Sequence, residues 1–398
     1  MKKTLLTFVT MCLGLTSQAQ SAGNYPVFSQ EMRNIASNNT GIKAAHARCL
    51  AQSSAGRVGV GLPDPEVEVA YLWGSPETVP GRKNITVSQS LDWGVLLGRQ
   101  RRLANAALSS AEADYRMTFR DVMGSADETL VSMVYYNRLC KELTQRASHA
   151  REVMQMYEKM YERGETSLVE LNKVRLNASV SEAELRRAQS ERQSQSRQLA
   201  LLNGGTPIEF ADTLYPVSCG SLPPYADMEA ALAGSAYMQQ AKAAQAMSEA
   251  ELRLAKAEAL PQLSVSFEGE YIKSNNYSGV GVGLSLPLWG NNRRRVKAAR
   301  ATAAATKMEA HDTTMRLSSS LLQLYDEARS LGETAVRLES DMSAASNERL
   351  LRTSLQQGHI SLLDYLLELS FYYTARTAQL EAERDAQLAL SRLRAMFY

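Results

Sequence analysis

Gly61-Leu-Pro-Asp-Pro-Glu-Val-Glu-Val-Ala-Tyr71 returns later in the chain as Ala259-Leu-Pro-Gln-Leu-Ser-Val-Ser-Phe-Glu-Gly-Glu-Tyr271. Ser90-Leu-Asp-Trp-Gly94 returns as Ser285-Leu-Pro-Leu-Trp-Gly290, and Gly164-Glu-Thr-Ser-Leu-Val-Glu170 as Gly358-His-Ile-Ser-Leu-Leu-Asp364. The offsets are 198 from Pro63 to Pro261, 196 from Trp93 to Trp289 and 194 from Gly164 to Gly358. Three anchors in one order at nearly constant spacing mark a duplicated unit, far longer than a solenoid repeat. The expected division is a first repeat over 20–204, a connector over 205–224 and a second repeat over 225–398.

Within each repeat the opening stretch alternates. Val67, Val69, Tyr71 and Trp73 alternate with Glu66, Glu68, Ala70 and Leu72; Val280, Val282, Leu284 and Leu286 alternate with Gly279, Gly281, Gly283 and Ser285. This period of two predicts strands over about 66–73, 84–91, 262–271 and 278–286, paired as hairpins through loops at 74–82 and 273–277. Each strand has the length and apolar/polar alternation of a tilted membrane-spanning strand, apolar toward lipid and polar toward a wet lumen. A sheet packed on helices would alternate too. The three tryptophans weigh against that: Trp73, Trp93 and Trp289 all fall at strand ends, where interfacial anchors sit, and none falls in the helical stretches.

The rest reads as helix. Residues 94–163 hold no proline and are rich in Ala, Glu, Arg, Leu and Met, which predicts a helix roughly 105 Å long. Residues 291–357 predict a second long helix, and 29–57, 167–202, 226–260 and 361–396 predict shorter ones about half that length. Leu171, Val174, Ala178, Ser181, Leu185 and Ala188 space a coiled-coil seam. Long and short helices meet at Gly164 and Gly358, placed for left-handed C-terminal caps. Ser167 with Glu170 is a capping box, and Ser361 with Asp364 its aspartate variant.

Composition bounds the function. Residues 1–19 read as a secretory signal peptide, with Lys2 and Lys3 ahead of an apolar run and small residues at the cleavage point. Removing those lysines takes the formal charge from +2 to 0, which argues against a nucleic-acid partner. Cys49, Cys140 and Cys219 are too scattered for a disulfide framework or a metal site. His46, His149, His311 and His359 lie apart, and Met154, Met156 and Met160 suit packing better than a soft-metal relay. No nucleophile–base set, phosphate loop or metal motif is present, so the expectation is a non-enzyme without cofactor.

Four strands leave open edges that hydrocarbon does not tolerate. Other copies of the chain must therefore complete the barrel; two copies give eight strands with a filled interior, three give twelve with a bore. The duplication, the Leu-Pro before strands one and three, the strand-end Trp-Gly, the Gly-x-x-Ser-x-x-acid turns and Leu-Leu-Asn-Gly204 together resemble the TolC-type outer-membrane efflux channels. Gly61-Leu-Pro-Asp-Pro65 also resembles the heavy-metal CusC/CzcC-like branch.

The resemblance implies a homotrimer in the outer membrane of a Gram-negative cell. Its long coiled-coil α-barrel would continue into a β-barrel of four strands per chain, held in outer-membrane lipid and served by a periplasmic adaptor and an inner-membrane pump. The function it implies is a passive exit duct for small molecules or metal ions. Asp364, echoed by Glu170, matches the family's pore-narrowing aspartate at the periplasmic tip, while the second such aspartate falls on Leu367. Tyr161, Arg163, Gly164 and Gly358 flank the tips and complete the expected gate. The competing expectation is a soluble periplasmic coiled-coil scaffold or adaptor.

Overall fold

A computed structural model describes residues 28–398 apart from 57, 59, 62, 77, 78, 92, 93, 274, 287–289, 345–347 and 358. The signal peptide at 1–19, Trp93, Trp289 and Gly358 therefore lie outside the described residues. In chain order the elements are α1 (Ser29–Asn38), α2 (Thr40–Ala55), β1 (Glu66–Leu72), β2 (Arg82–Leu91), α3 (Gly94–Glu162) and α4 (Leu168–Leu202). There follow α5 (Tyr225–Leu232), α6 (Ala236–Glu258), β3 (Gln262–Ile272), β4 (Asn275–Ser285), α7 (Asn291–Ala344), α8 (Glu348–Gln356) and α9 (Leu362–Ala395). The fold is mainly helical, with one small sheet. Two compact units draw on both repeats: one holds the chain up to Lys43 with Thr118–Ser235 and Leu317–Tyr398, the other Ala44–Met117 with Ala236–Arg316.

In the first unit the core is a set of helix seams. Phe28, Met32 and Ile35 of the N-terminal segment pack with Met123, Leu130, Val131 and Val134 of α3, Leu199 of α4 and Phe210 of the connector. The spacing 123, 130, 134 is the helical repeat that places these side chains on one stripe. The α4 seam holds as expected, with Leu171, Val174, Ala178, Ala188 and Leu199 buried. Gly124 does not break α3; a Cβ there would lie 3.1 Å from that of Ala395, so the glycine permits a close helix approach.

In the second unit the sheet is antiparallel in the order β1-β2-β3-β4. β2 begins at Arg82 and β4 at Asn275, earlier than the alternation predicts, because Arg82 pairs with both Leu72 and Ile272, and Asn275 with Ile272. The expected loop at 273–277 is thereby mostly strand.

Two predicted helices are divided. The expected 29–57 helix breaks at Asn39, whose Oδ1 accepts the Ile42 N–H at 3.0 Å while its Nδ2 donates to the Leu202 carbonyl at 2.7 Å. One side chain thus starts α2 and satisfies the end of α4. The expected 226–260 helix breaks after Leu232, where Gly234 and Ser235 donate to the carbonyls of Ala231 and Leu232. The expected 291–357 helix is described as α7 and α8, with residues 345–347 between them.

Candidate functional site

The sheet has two chemically distinct faces. Directly paired residues share a face, and the register aligns Val67, Val87, Phe267 and Val280 in one row. Leu91, Leu263 and Leu284 form another row, and Gln89, Val265 and Val282 a third. On this face Val67, Val69, Val280 and Val282 are 65%, 59%, 73% and 71% exposed, with Phe267 and Leu284 also exposed. Among the described residues no helix covers these side chains. The other face carries Glu66, Ser88, Ser266 and Gly281, then Glu68, Thr86, Glu268 and Gly279. Trp73, just past β1, is 84% exposed and stacks edge-on against Tyr71 at 5.4 Å.

In the other unit, α3 turns into α4 through Gly164 at φ 74°, in the left-handed region. Gly164 N–H donates to the Tyr161 carbonyl and Glu165 N–H to that of Met160, both at 2.9 Å, the paired bonds of a Schellman cap. Ser167 then starts α4, its hydroxyl accepting the Glu170 N–H at 3.2 Å. The Glu170 carboxylate accepts the hydroxyl of Thr166. The side chains of Tyr161 and Arg163 are exposed.

The second turn repeats this chemistry. His359 N–H donates to the Ser354 carbonyl at 2.9 Å, the counterpart of the Glu165–Met160 bond 194 residues earlier. The Ser361 hydroxyl accepts the Asp364 N–H at 3.1 Å and donates to Asp364 Oδ2 at 2.6 Å. Asp364 is exposed and stands in the first turn of α9, where its charge also opposes the helix dipole.

Beneath both turns lies one apolar cluster. Val153 and Tyr157 of α3, Leu171 and Val174 of α4, and Leu362, Tyr365 and Leu369 of α9 are all buried in it. Met156 packs on its edge, so this methionine serves packing. The Tyr365 hydroxyl meets His149 Nε2 within it. Arg352 to Glu152 at 2.6 Å and Arg175 to Glu158 at 3.0 Å fasten its rim. Tip and support thus form one body held by packing, with polar gate candidates on its surface. Burial raises the Tyr157 hydroxyl above its ordinary range, with the Glu170 charge adding to it, so this tyrosine stays neutral.

Among the described residues no three His, Cys, Asp or Glu side chains gather as a metal site. No helix of the described residues is long and apolar enough to cross a membrane.

An exposed apolar sheet, long seamed helices and a glycine-turned helical hairpin at Gly164 occur together in this chain, and the fold matches known structures. Residues 228–397 match the family model described as Outer membrane efflux protein. That match lies in the second repeat and spans less than half of the chain. No curated protein sequence matches the chain. Several solved structures share the fold over nearly the whole length. Against the Vibrio cholerae outer membrane protein VceC the TM-score is 0.77 at 16% identity, covering 95% of this chain and 98% of that one. A CusC structure described in terms of folding and transmembrane channel formation gives 0.77 at 13%, covering 93% and 91%. The Campylobacter jejuni outer membrane channel CmeC gives 0.75 at 14%, covering 92% and 85%. The chain shares the fold of these structures.

Sequence reading located both strand hairpins and the helical turn at Gly164. It missed the His149–Tyr365 contact, because the partners lie 216 residues apart with no local signal. It also missed the exposed stripe of Leu363, Leu367 and Phe371 on α9, which the spacing of four residues could have shown.

Proposed function

We propose that this chain is the outer-membrane exit duct of a tripartite efflux assembly, a passive conduit from a periplasmic adaptor and inner-membrane pump to the outside. The carrying observation is the sheet face: rows of Val, Leu and Phe stand exposed across four strands, opposite a face of Glu, Ser, Thr and Gly. Water does not favour such a wall, whereas lipid does. β1 and β4 are the sheet's two edges, and their backbone groups need partners inside a membrane. Three copies pairing β1 to β4 give twelve strands and a bore lined by the polar face. The exposed apolar stripe of Leu363, Leu367 and Phe371, with Val169, Leu176 and Val180 on α4, offers the coiled-coil contact between copies.

In this reading the tips form the gate. Asp364, held by Ser361, and Glu170, held by Ser167 and Thr166, present carboxylates at corresponding places of the two turns, with Tyr161, Arg163 and Gly164 beside the first. A ring of such carboxylates narrows the path and favours cations. Trp73 anchors the sheet at the lipid interface. Cargo of small molecules or metal ions suits a wet lumen lined by the polar face of the sheet. The soluble scaffold reading leaves the apolar wall unexplained.

The test is single-channel recording in planar bilayers. Wild-type protein is expected to conduct poorly, and Asp364→Ala to raise conductance and lower cation preference. An assembled Asp364→Ala channel with unchanged conductance and selectivity removes Asp364 from the gate.

A further inference from the structure

The register places the ends of β2 and β4 together. Leu91 pairs with Leu263, and Ser285 with Gln262, so α3 and α7 both leave from the same end of the sheet. Both helices open with cations and no acids. From Trp93 to Ala111 the charged residues are Arg99, Arg101 and Arg102 alone. From Leu286 to Met308 they are Arg293, Arg294, Arg295, Lys297, Arg300 and Lys307. Neither stretch holds an Asp or Glu, and the two lie at the same place in both repeats.

The placement also works against the helix. Neither helix carries an acid in its first turn. Arg293 and Arg294 stand at the start of α7, where the positive end of the dipole disfavours cations. Arg295 reaches Glu258 at 2.8 Å yet remains 63% exposed, and Arg101, Arg102, Arg293, Arg294 and Arg300 are exposed. At the hairpin-turn end of the sheet, by contrast, Arg82 is neutralised by Glu270 at 2.8 Å. Lys83 and Lys273 also stand exposed at that end, but the dense cluster of arginines begins where the apolar wall of the sheet stops.

We propose that this arginine collar binds the phosphate headgroups of anionic phospholipid at the membrane surface from which α3 and α7 emerge. Guanidinium forks match phosphate oxygens, and the adjoining valines and leucines meet the acyl chains of the same lipids. The two contacts together fix how deeply the sheet sits. This rests on the membrane reading above, and the experiment separates the two.

The full chain is diluted from detergent into vesicles of phosphatidylcholine alone or phosphatidylcholine with phosphatidylglycerol, and carbonate-resistant flotation is measured. Wild type should insert several-fold more into the anionic vesicles, with the preference fading as salt rises. A variant with Arg99, Arg101, Arg102, Arg293, Arg294 and Arg295 changed to Gln should lose the preference yet insert like wild type into neutral vesicles. The same six changed to Lys should keep most of it. If the Gln variant fails to fold, the salt series on wild type and the Lys variant decides. Equal insertion of wild type into both vesicles overturns the lipid assignment alone; insertion into neither overturns the membrane reading. A preference abolished by inorganic phosphate at constant ionic strength assigns the collar to a soluble anion and overturns the lipid.

Discussion

Asp127 is fully buried on α3 and meets Arg394 of α9 through Nη2 at 2.8 Å and Nε at 3.2 Å, with the Tyr398 hydroxyl at 3.3 Å. Burial raises the Tyr398 hydroxyl far above its ordinary range, and the Asp127 charge adds to it. Removing one partner strands the other charge in the interior, so Asp127→Ala or Arg394→Ala should cost about 3–5 kcal/mol in chemical denaturation. Replacing both should cost less than the sum. Cys219 tests burial in another way. Desolvation pushes its thiol from 9.0 to about 11 despite the Gln387 hydrogen bond at 3.4 Å. The unfolded thiol ionises first, so the site's contribution to stability is whole below pH ~9 and falls as pH rises toward ~11. Wild type should lose up to about 2 kcal/mol more than Cys219→Ala across that window, measured by urea midpoints.

At the scale of elements, the tips show which signals act locally. Gly164 needs its left-handed φ, so Gly164→Ala should cost about 1 kcal/mol. Ser167→Ala and Ser361→Ala should each cost a similar ~1 kcal/mol by removing an N-terminal cap. Local unfolding at the tips, read by amide exchange of α4 and α9 first turns, should rise before global stability falls. These caps were legible because serine, glycine and acid sit at fixed short spacing. The strands were legible because alternation is also local. The break at Asn39 was not, since it depends on the Leu202 carbonyl 163 residues away. The early start of β4 at Asn275 was hidden for the same reason: Asn and Tyr in a Gly/Ser-rich stretch read as loop until β3 supplies the ladder. The side chains of Tyr161 and Arg163 were read as gate contacts from position alone, and their standing at the tip surface is where that proposal is tested.

For the whole molecule, the sheet's exposed wall is the feature that a single chain leaves unfinished. Val280→Lys or Val282→Lys should cost about 2–4 kcal/mol if the residue lies near the bilayer midplane, and should abolish vesicle insertion. The same changes on the polar face, at Gly279, should leave insertion intact. The duplicated sequence already implied this incompleteness: two hairpins per chain, one at the start of each repeat, give four strands and two free edges. The central claim is that those edges close on other copies. Disulfide trapping tests it most directly: with Cys49, Cys140 and Cys219 replaced by Ala, single cysteines are placed along β1 (Glu66–Leu72) and β4 (Asn275–Ser285) in pairs and oxidised in membranes. A covalent ladder ending at three chains, formed only by pairs at one register, is the predicted result. Chains that stay monomeric at every pair and remain soluble without detergent would contradict it.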